Sequence, residues 1–312
     1  MRAQTSKNSI LIILTAVLGC VSSSASAQTA YKYRDASGQW VFTDQATSPS
    51  AATGNAITLG REHEALQIAV QKVQTPKSTQ LIAINECLCV VTIKLTIVQS
   101  DIAEVPEGSN YEATLDPSSR QAIVEVTGAG GALSYRWSSA LGSPKAVHRP
   151  PRPYRAPFAV GATFTVSQAF PERFTHVTPD SQFAVDIALP DETPIYAARE
   201  GTVINVRHDS FTGAPLPVML DQANVVEILH DDGTIAVYAH LHWDSIRVHI
   251  GQHVALGEYI ANSGNTGFTT GAHLHFAVLR NAGTTDVSVP VQFAGIGGTP
   301  VTPATATPLT AY

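Results

Sequence analysis

The chain has 312 residues, a formal net charge of −6 and 44% hydrophobic residues. That is more than one ordinary core holds, so two or three domains are expected. No basic stretch or patch marks a nucleic-acid surface, which removes nucleic acid from the expected partners.

The first element is a targeting segment. Arg2 and Lys7 precede an apolar run from 10 to 21, and Ala25-Ser26-Ala27 follows it. A basic start, a short apolar run and a small-x-small site predict an export signal over residues 1–27. The run is too short to span a bilayer, so the mature chain is expected to carry no transmembrane segment. Val17-Leu18-Gly19-Cys20 resembles a lipoprotein box and offers the alternative of a lipid anchor at Cys20. The first reading predicts a periplasmic or secreted protein, the second an outer-membrane lipoprotein.

Residues 28–60 read as a small hairpin module. Tyr31, Tyr33, Trp40, Val41 and Phe42 flank Asp35-Ala36-Ser37-Gly38, a turn signal between strand-forming residues. The Tyr-Lys-x-x-Asp-x-x-Gly run resembles a small module at the front of exported Gram-negative proteins. Leu66, Ile68, Ala69 and Val73 predict a short helix within 61–74. Apolar, β-branched runs at 81–84, 90–98 and 121–126, parted by turn-rich pieces, predict a small β-sandwich-like domain over 78–145. Cys87 and Cys89 lie in Glu86-Cys87-Leu88-Cys89-Val90, an apolar run that reads as a strand. Residues two apart on a strand point the same way and do not meet disulfide geometry easily, so two small buried hydrophobes are expected, although export would permit a bridge. Prolines 150, 151, 153 and 157 predict a stiff linker over 146–160. A last globular unit is expected over 161–294, followed by a Gly/Thr/Pro/Ala-rich disordered tail over 295–312. The chain as a whole is thus expected to be mainly β and multi-domain.

Nine of the eleven histidines lie between 176 and 275. His273-Leu274-His275 in a strand puts both imidazoles on one face, with Leu274 turned inward. Two adjacent nitrogen donors suit a metal. Asp186 stands alone in the apolar run Phe183-Ala184-Val185-Asp186-Ile187-Ala188. A buried carboxylate needs a cation, an arginine or backbone donors against it. His240 is expected at the end of a half-buried strand that starts after the turn 230–234. No His-Glu-x-x-His helix occurs, which excludes the thermolysin arrangement.

These pieces come in a familiar order. The run 193–203, Tyr238-Ala239-His240-Leu241, Gly251-x-x-Val254-x-x-Gly257 and Ser263-Gly264-Asn265-Thr266-Gly267-Phe268 followed by His273-Leu274-His275 resemble the successive motifs of the lysostaphin-like zinc metallopeptidases, which are peptidoglycan endopeptidases. The resemblance covers about 161–294 and implies an antiparallel β-sheet peptidase domain. It also implies that Asp186 and His275 bind Zn2+ and that His240 and His273 act on the water and the oxyanion. The family's first ligand stands four residues before the aspartate, where this chain has Gln182. His176, ten residues before, is the only histidine upstream of Asp186 in the domain, and it is assigned as the third metal ligand. The implied partners are peptidoglycan peptides, with D-alanyl–diaminopimelate cross-links the family's default in a Gram-negative envelope. Two other readings stay open: an inactive domain of the same fold that binds wall peptides or activates another wall hydrolase, and a wall-binding protein whose working part is the β-rich domain.

Overall fold

A computed structural model describes residues 28–34, 40–43 and 55–59 by their backbone and residues 68–127 and 131–312 in full. The expected export signal, Cys20, and the 61–67 part of the expected helix lie outside the described residues. The chain divides into two units, 1–62 and 63–312. In the first, β1 (Gln28–Arg34) pairs antiparallel with β2 (Trp40–Thr43) and β3 (Asn55–Leu59) in the order β2-β1-β3. Arg34 pairs with Trp40 in that antiparallel register, and the expected turn at 35–38 lies outside the described residues.

The second unit opens with six strands: β4 (Ile68–Gln74), β5 (Ser78–Asn85), β6 (Val91–Ser100), β7 (Asn110–Leu115), β8 (Ser119–Thr127) and β9 (Leu133–Leu141). They form two three-stranded sheets, β4-β5-β8 and β7-β6-β9. Val91, Ile93, Leu95 and Ile97 alternate along β6 and are all buried in the shared core. The expected helix over 61–74 is corrected for its described part. Ile68 to Gln74 pair residue by residue with Asn85 to Thr79. The β-branched Ile68, Val70 and Val73 fit a strand, and the partner strand decides what the local spacing left ambiguous. The β-rich domain therefore starts at 68 rather than 78. The cysteines are corrected as well. Cys87 and Cys89 lie in the turn between β5 and β6, not in a strand, and form a disulfide across 5.2 Å between their Cα atoms.

The remaining strands are β10 (Thr163–Gln168), β11 (Val185–Ala188), β12 (Pro194–Tyr196), β13 (Gly201–Arg207), β14 (Val225–Leu229), β15 (Ile235–Ala239), β16 (His253–Val254), β17 (Tyr259–Asn262), β18 (Leu274–Asn281), β19 (Asp286–Ser288), β20 (Phe293–Ala294), β21 (Pro300–Val301) and β22 (Pro308–Thr310). Nine of them make one antiparallel sheet in the order β16-β13-β14-β15-β18-β11-β10-β22, with β19 added on β18. The only helical pieces among the described residues are single 3-10 turns at Pro217–Met219 and Ile296–Gly298, so no described helix is long enough to cross a membrane. The turn between β14 and β15 is the one its sequence predicts: His230 N–H donates to Thr234 O at 2.8 Å, and Gly233 supplies the φ of 81° the turn requires.

Directly paired residues of antiparallel strands face the same side. One face of the large sheet carries Val203, Ile228, Tyr238, Phe276 and Ile187, which form the domain's own core. The other face carries Asp186, His275 and Ala239 in register at one end. At its far end this face meets the β-rich domain. Ile235 and Ile204 join that domain's core. Buried Asn281 Nδ2 donates to Thr92 Oγ1 and to Gly142 O, each at 2.9 Å, and Leu141 N–H donates to Asp286 Oδ1 at 3.0 Å.

Two boundary expectations fail. The Pro/Arg-rich segment 146–160 is not a free linker, because Tyr154, Ala156 and Phe158 are buried in the peptidase-like core. Its backbone bonds to Gln292, Ala294 and Ala198 replace a sheet ladder that proline could not make. The tail 295–312 is not disordered. Pro308–Thr310 pairs with Thr163–Thr165 at the sheet edge, and Leu309 and Ala311 are buried. Leu309→Ala is expected to cost about 2–5 kcal/mol of stability, the range for emptying a buried leucine site. Chemical denaturation of the full chain would show it, whereas a disordered tail would give no change.

Candidate metal centre

Three donors converge at the end of the large sheet. β11 and β18 pair Asp186 with His275, 89 residues apart in the chain, and His275 Nδ1 donates to Asp186 Oδ1 at 2.9 Å. The irregular segment between β10 and β11 folds back and brings in His176. Its course is set by Thr178 and Ser181, whose hydroxyls bond each other at 2.7 Å, and by Gln182 N–H donating to Thr178 O. His176 Nε2 then lies 3.1 Å from Asp186 Oδ2, and the His176 and His275 rings meet edge to face at 5.1 Å. Donor atoms of His176, Asp186 and His275 all lie within 4.8 Å of one another.

This set fits a zinc ion. Zinc takes imidazole nitrogen and carboxylate oxygen at roughly 2.0–2.2 Å, and three such donors leave a fourth position open. Among the described residues, neither ring nitrogen of buried His176 has a hydrogen-bond partner, since the 3.1 Å approach to Asp186 lacks hydrogen-bond geometry. An imidazole that is only 3% exposed and has two idle nitrogens is costly unless a cation takes one of them. Asp186 is also buried. Burial alone would raise its carboxyl pKa, but the adjoining His176 and His275 outweigh it and hold the group well below the usual carboxylate range.

Two further histidines stand beside the donors. The His240 and His273 rings are 4.5 Å apart, and His240 is 6.0 Å from the His275 ring. His273 Nε2 reaches to 3.9 Å from Asp186 Oδ1, while its Nδ1 donates to Gly271 O at 2.8 Å. Leu274, between the two strand histidines, is fully buried, as the alternation requires. His240 follows the last residue of β15 with φ of 63°, a left-handed setting that costs a non-glycine residue about 1–2 kcal/mol. Its Nδ1 donates to Thr266 O at 2.6 Å. Burial, with His273 and His275 nearby, lowers its pKa to about 3, so the ring is neutral and keeps a lone pair on Nε2. Gly264 hands its carbonyl to His273 N–H, and a side chain at 264 would run into the backbone of His242.

The structure thus gathers all five residues singled out in the sequence, His176, Asp186, His240, His273 and His275, at one point. Tyr238 is not among them. It is fully buried under the sheet, where its hydroxyl accepts from Ala198 N–H at 2.8 Å. His230 is buried away from the cluster with Nδ1 on Glu200 O. His242 faces Glu192, and His249 and His253 are exposed. The sequence reading passed over Asn224 and Thr266, which hold the backbone beside His240. The signal was present in Thr266, inside the Ser263–Phe268 motif.

Residues 181–287 match the profile of Peptidase family M23, and residues 17–79 match a domain of unknown function, DUF4124. Over 118 residues the chain is 33% identical to an uncharacterised metalloprotease of Buchnera aphidicola, covering 37% of this chain and 28% of that one. Over 127 residues it is 32% identical to the peptidoglycan DD-endopeptidase ShyA of Vibrio cholerae, covering 39% and 26% respectively. The chain therefore matches about a quarter of the length of these relatives. Among solved structures, a mutant catalytic domain of the prophage-encoded M23 protein EnpA of Enterococcus faecalis aligns at 26% identity, covering 43% of this chain and 92% of that one with a TM-score of 0.32. The lysostaphin catalytic domain of Staphylococcus simulans aligns at 21% identity, covering 41% and 87% with a TM-score of 0.29. On the motifs, the profile and the relatives together, the segment around residues 181–287 belongs to peptidase family M23, the lysostaphin-like group.

Proposed function

We propose that the C-terminal domain is a zinc-dependent endopeptidase that hydrolyses peptide bonds of peptidoglycan in the bacterial envelope, in a periplasmic or secreted protein. The observation that carries this reading is the convergence of three donors, with two more imidazoles beside them. His176, Asp186 and His275 would hold the ion. When bound, zinc supplies Lewis-acid polarisation of a carbonyl and acidifies a water molecule.

The other steps belong to side chains. His240 is neutral, its Nδ1–H is spent on Thr266 O, and its free Nε2 is placed to accept a proton from the attacking water. His273 has its Nδ1–H on Gly271 O, and its Nε2 faces the cluster beside Asp186. That position suits a group that orients the water and hydrogen-bonds the developing oxyanion when its Nε2 is protonated. Peptidoglycan peptides are the proposed substrate class: the motif order resembles that of peptidoglycan endopeptidases, the profile is that of a peptidase family, and the relative ShyA is a peptidoglycan DD-endopeptidase.

The test is a zinc assay together with digestion of purified cell wall. Expected are about one zinc per chain, release of stem peptides, loss of release in a chelator and its return on adding zinc. A protein that holds zinc and cuts no wall peptide would favour the alternative, a non-cutting domain that binds wall peptides or activates another hydrolase.

A further inference from the structure

We propose that Asn224 and Thr266 form a clamp that positions His240 and fixes which of its nitrogens faces the metal centre; the proposal rests on the role given to His240 above. A histidine does not hold a φ of 63° unaided, so something must restrain it. The restraint acts on the next residue. Leu241 N–H donates to Asn224 O at 3.2 Å. Leu241 O accepts from Asn224 Nδ2 at 3.2 Å and from Thr266 Oγ1 at 2.9 Å. Leu241, the residue that follows His240, is thereby gripped at both its N–H and its carbonyl.

Thr266 has a second hold. Its carbonyl accepts the His240 Nδ1–H at 2.6 Å, so one residue touches the ring with its backbone and the neighbouring peptide with its hydroxyl. The same hydroxyl accepts Asn224 N–H at 3.1 Å, which ties the two clamp residues together. Asn224 is anchored at its other end. Its Oδ1 accepts Ser210 N–H at 2.9 Å, and its Nδ2 donates to Ser210 O at 2.8 Å. Asn224 is fully buried and Thr266 nearly so, so water does not compete for these bonds. A carbonyl oxygen can only accept, so the clamp holds His240 as the Nδ1–H tautomer and leaves Nε2 bare toward His273 and His275. Asn224 and Thr266 are positioning residues: neither touches the donors, and both act through His240.

Thr266→Val keeps the volume and the backbone carbonyl but removes the hydroxyl; Thr266→Ser keeps the hydroxyl. Expected for Thr266→Val are unchanged zinc content, little change in KM for a cross-linked muropeptide, and a kcat lower by about 10- to 100-fold, the scale of a misplaced catalytic group. Thr266→Ser should recover most of that kcat. Long-range 1H–15N spectra of the full chain should show His240 protonated on Nδ1 in the parent and in Thr266→Ser, and a tautomer mixture in Thr266→Val and Asn224→Ala. Thr266→Val with parental kcat and a parental His240 tautomer overturns the clamp. So does Thr266→Ser as impaired as Thr266→Val. If the parent itself cuts no peptide, the proposed activity fails and the His240 spectra alone decide the clamp.

Discussion

His176→Ala will cost the protein its zinc and lower peptide hydrolysis by at least about 100-fold, whereas Gln182→Ala will keep both. Losing even the outer partner of a metal ligand typically costs about 10- to 100-fold, and a ligand itself costs more. Asp186 and His275 alone would leave the ion two protein donors, fewer than a catalytic zinc site uses. His176 approaches Asp186 to 3.1 Å and, among the described residues, has no other partner for either nitrogen. Gln182 stands where the family's first ligand would be counted. Its backbone N–H caps the local turn on Thr178 O, and its side chain offers only a neutral amide oxygen, a poor match for zinc. Metal content measured on the purified variants, beside turnover of a cross-linked muropeptide, separates the cases. A His176→Ala protein that retains a full equivalent of zinc would remove this residue from the ligand set.

Tyr154→Ala should be among the most destabilising single changes outside the cluster, by about 3–5 kcal/mol as for other large aromatic truncations. Tyr154 is 1% exposed. Its ring packs against Phe276 at 6.1 Å and His230 at 6.0 Å, and its hydroxyl lies 3.2 Å from His148 Nε2. Its backbone bonds Gln292 and Ala294, so the strap and the segment after β19 are held through one residue. For a unit of this size the loss corresponds to a fall of about 6–20 °C in Tm. Calorimetry on the full chain would read it. A change of a degree or two would mean that the proline-rich segment is only a connector. A fragment beginning at 158 lacks Tyr154 and Ala156 and is expected to fold poorly for the same reason.

The candidate site was legible because its residues announce themselves locally. A lone acid in an apolar strand, two histidines at period two and a histidine at a strand end are patterns of a few residues each, and strand geometry fixes where such side chains point. The motif order then linked them across 89 residues, a distance that no local pattern spans. His176 was reached by counting ligands, since nothing in Phe174-Thr175-His176-Val177 distinguishes it from a loop histidine. The misses have a common cause. Composition averages over a segment, whereas burial acts on single residues. Four prolines in 146–160 hid the buried alternation Tyr154, Ala156, Phe158, and the Gly/Thr/Pro-rich tail hid Leu309 and Ala311. At 68–74 the apolar spacing fitted either period, and the long pairing with β5 settled it. The cysteines were misplaced because the strand was read straight through a turn.

The order of strands in the large sheet also sets a timetable for folding. β11, which carries Asp186, lies between β18, which carries His275, and β10, whose outer edge is covered by β22. Thr163 pairs with Thr310, Asp186 with His275, and Tyr154 with Phe293. None of these partners is near in the chain, so each pairing must first overcome the loss of freedom of a long loop. Sheets built from distant partners fold slowly. The ligands therefore have no common geometry in a half-folded chain, and a nascent polypeptide that has paired only β13, β14 and β15 possesses neither a metal cradle nor a hydrolytic centre. The donor set is complete only with the last long-range pairings, and an ion that bound only the assembled site would add its binding free energy directly to the stability of the finished domain.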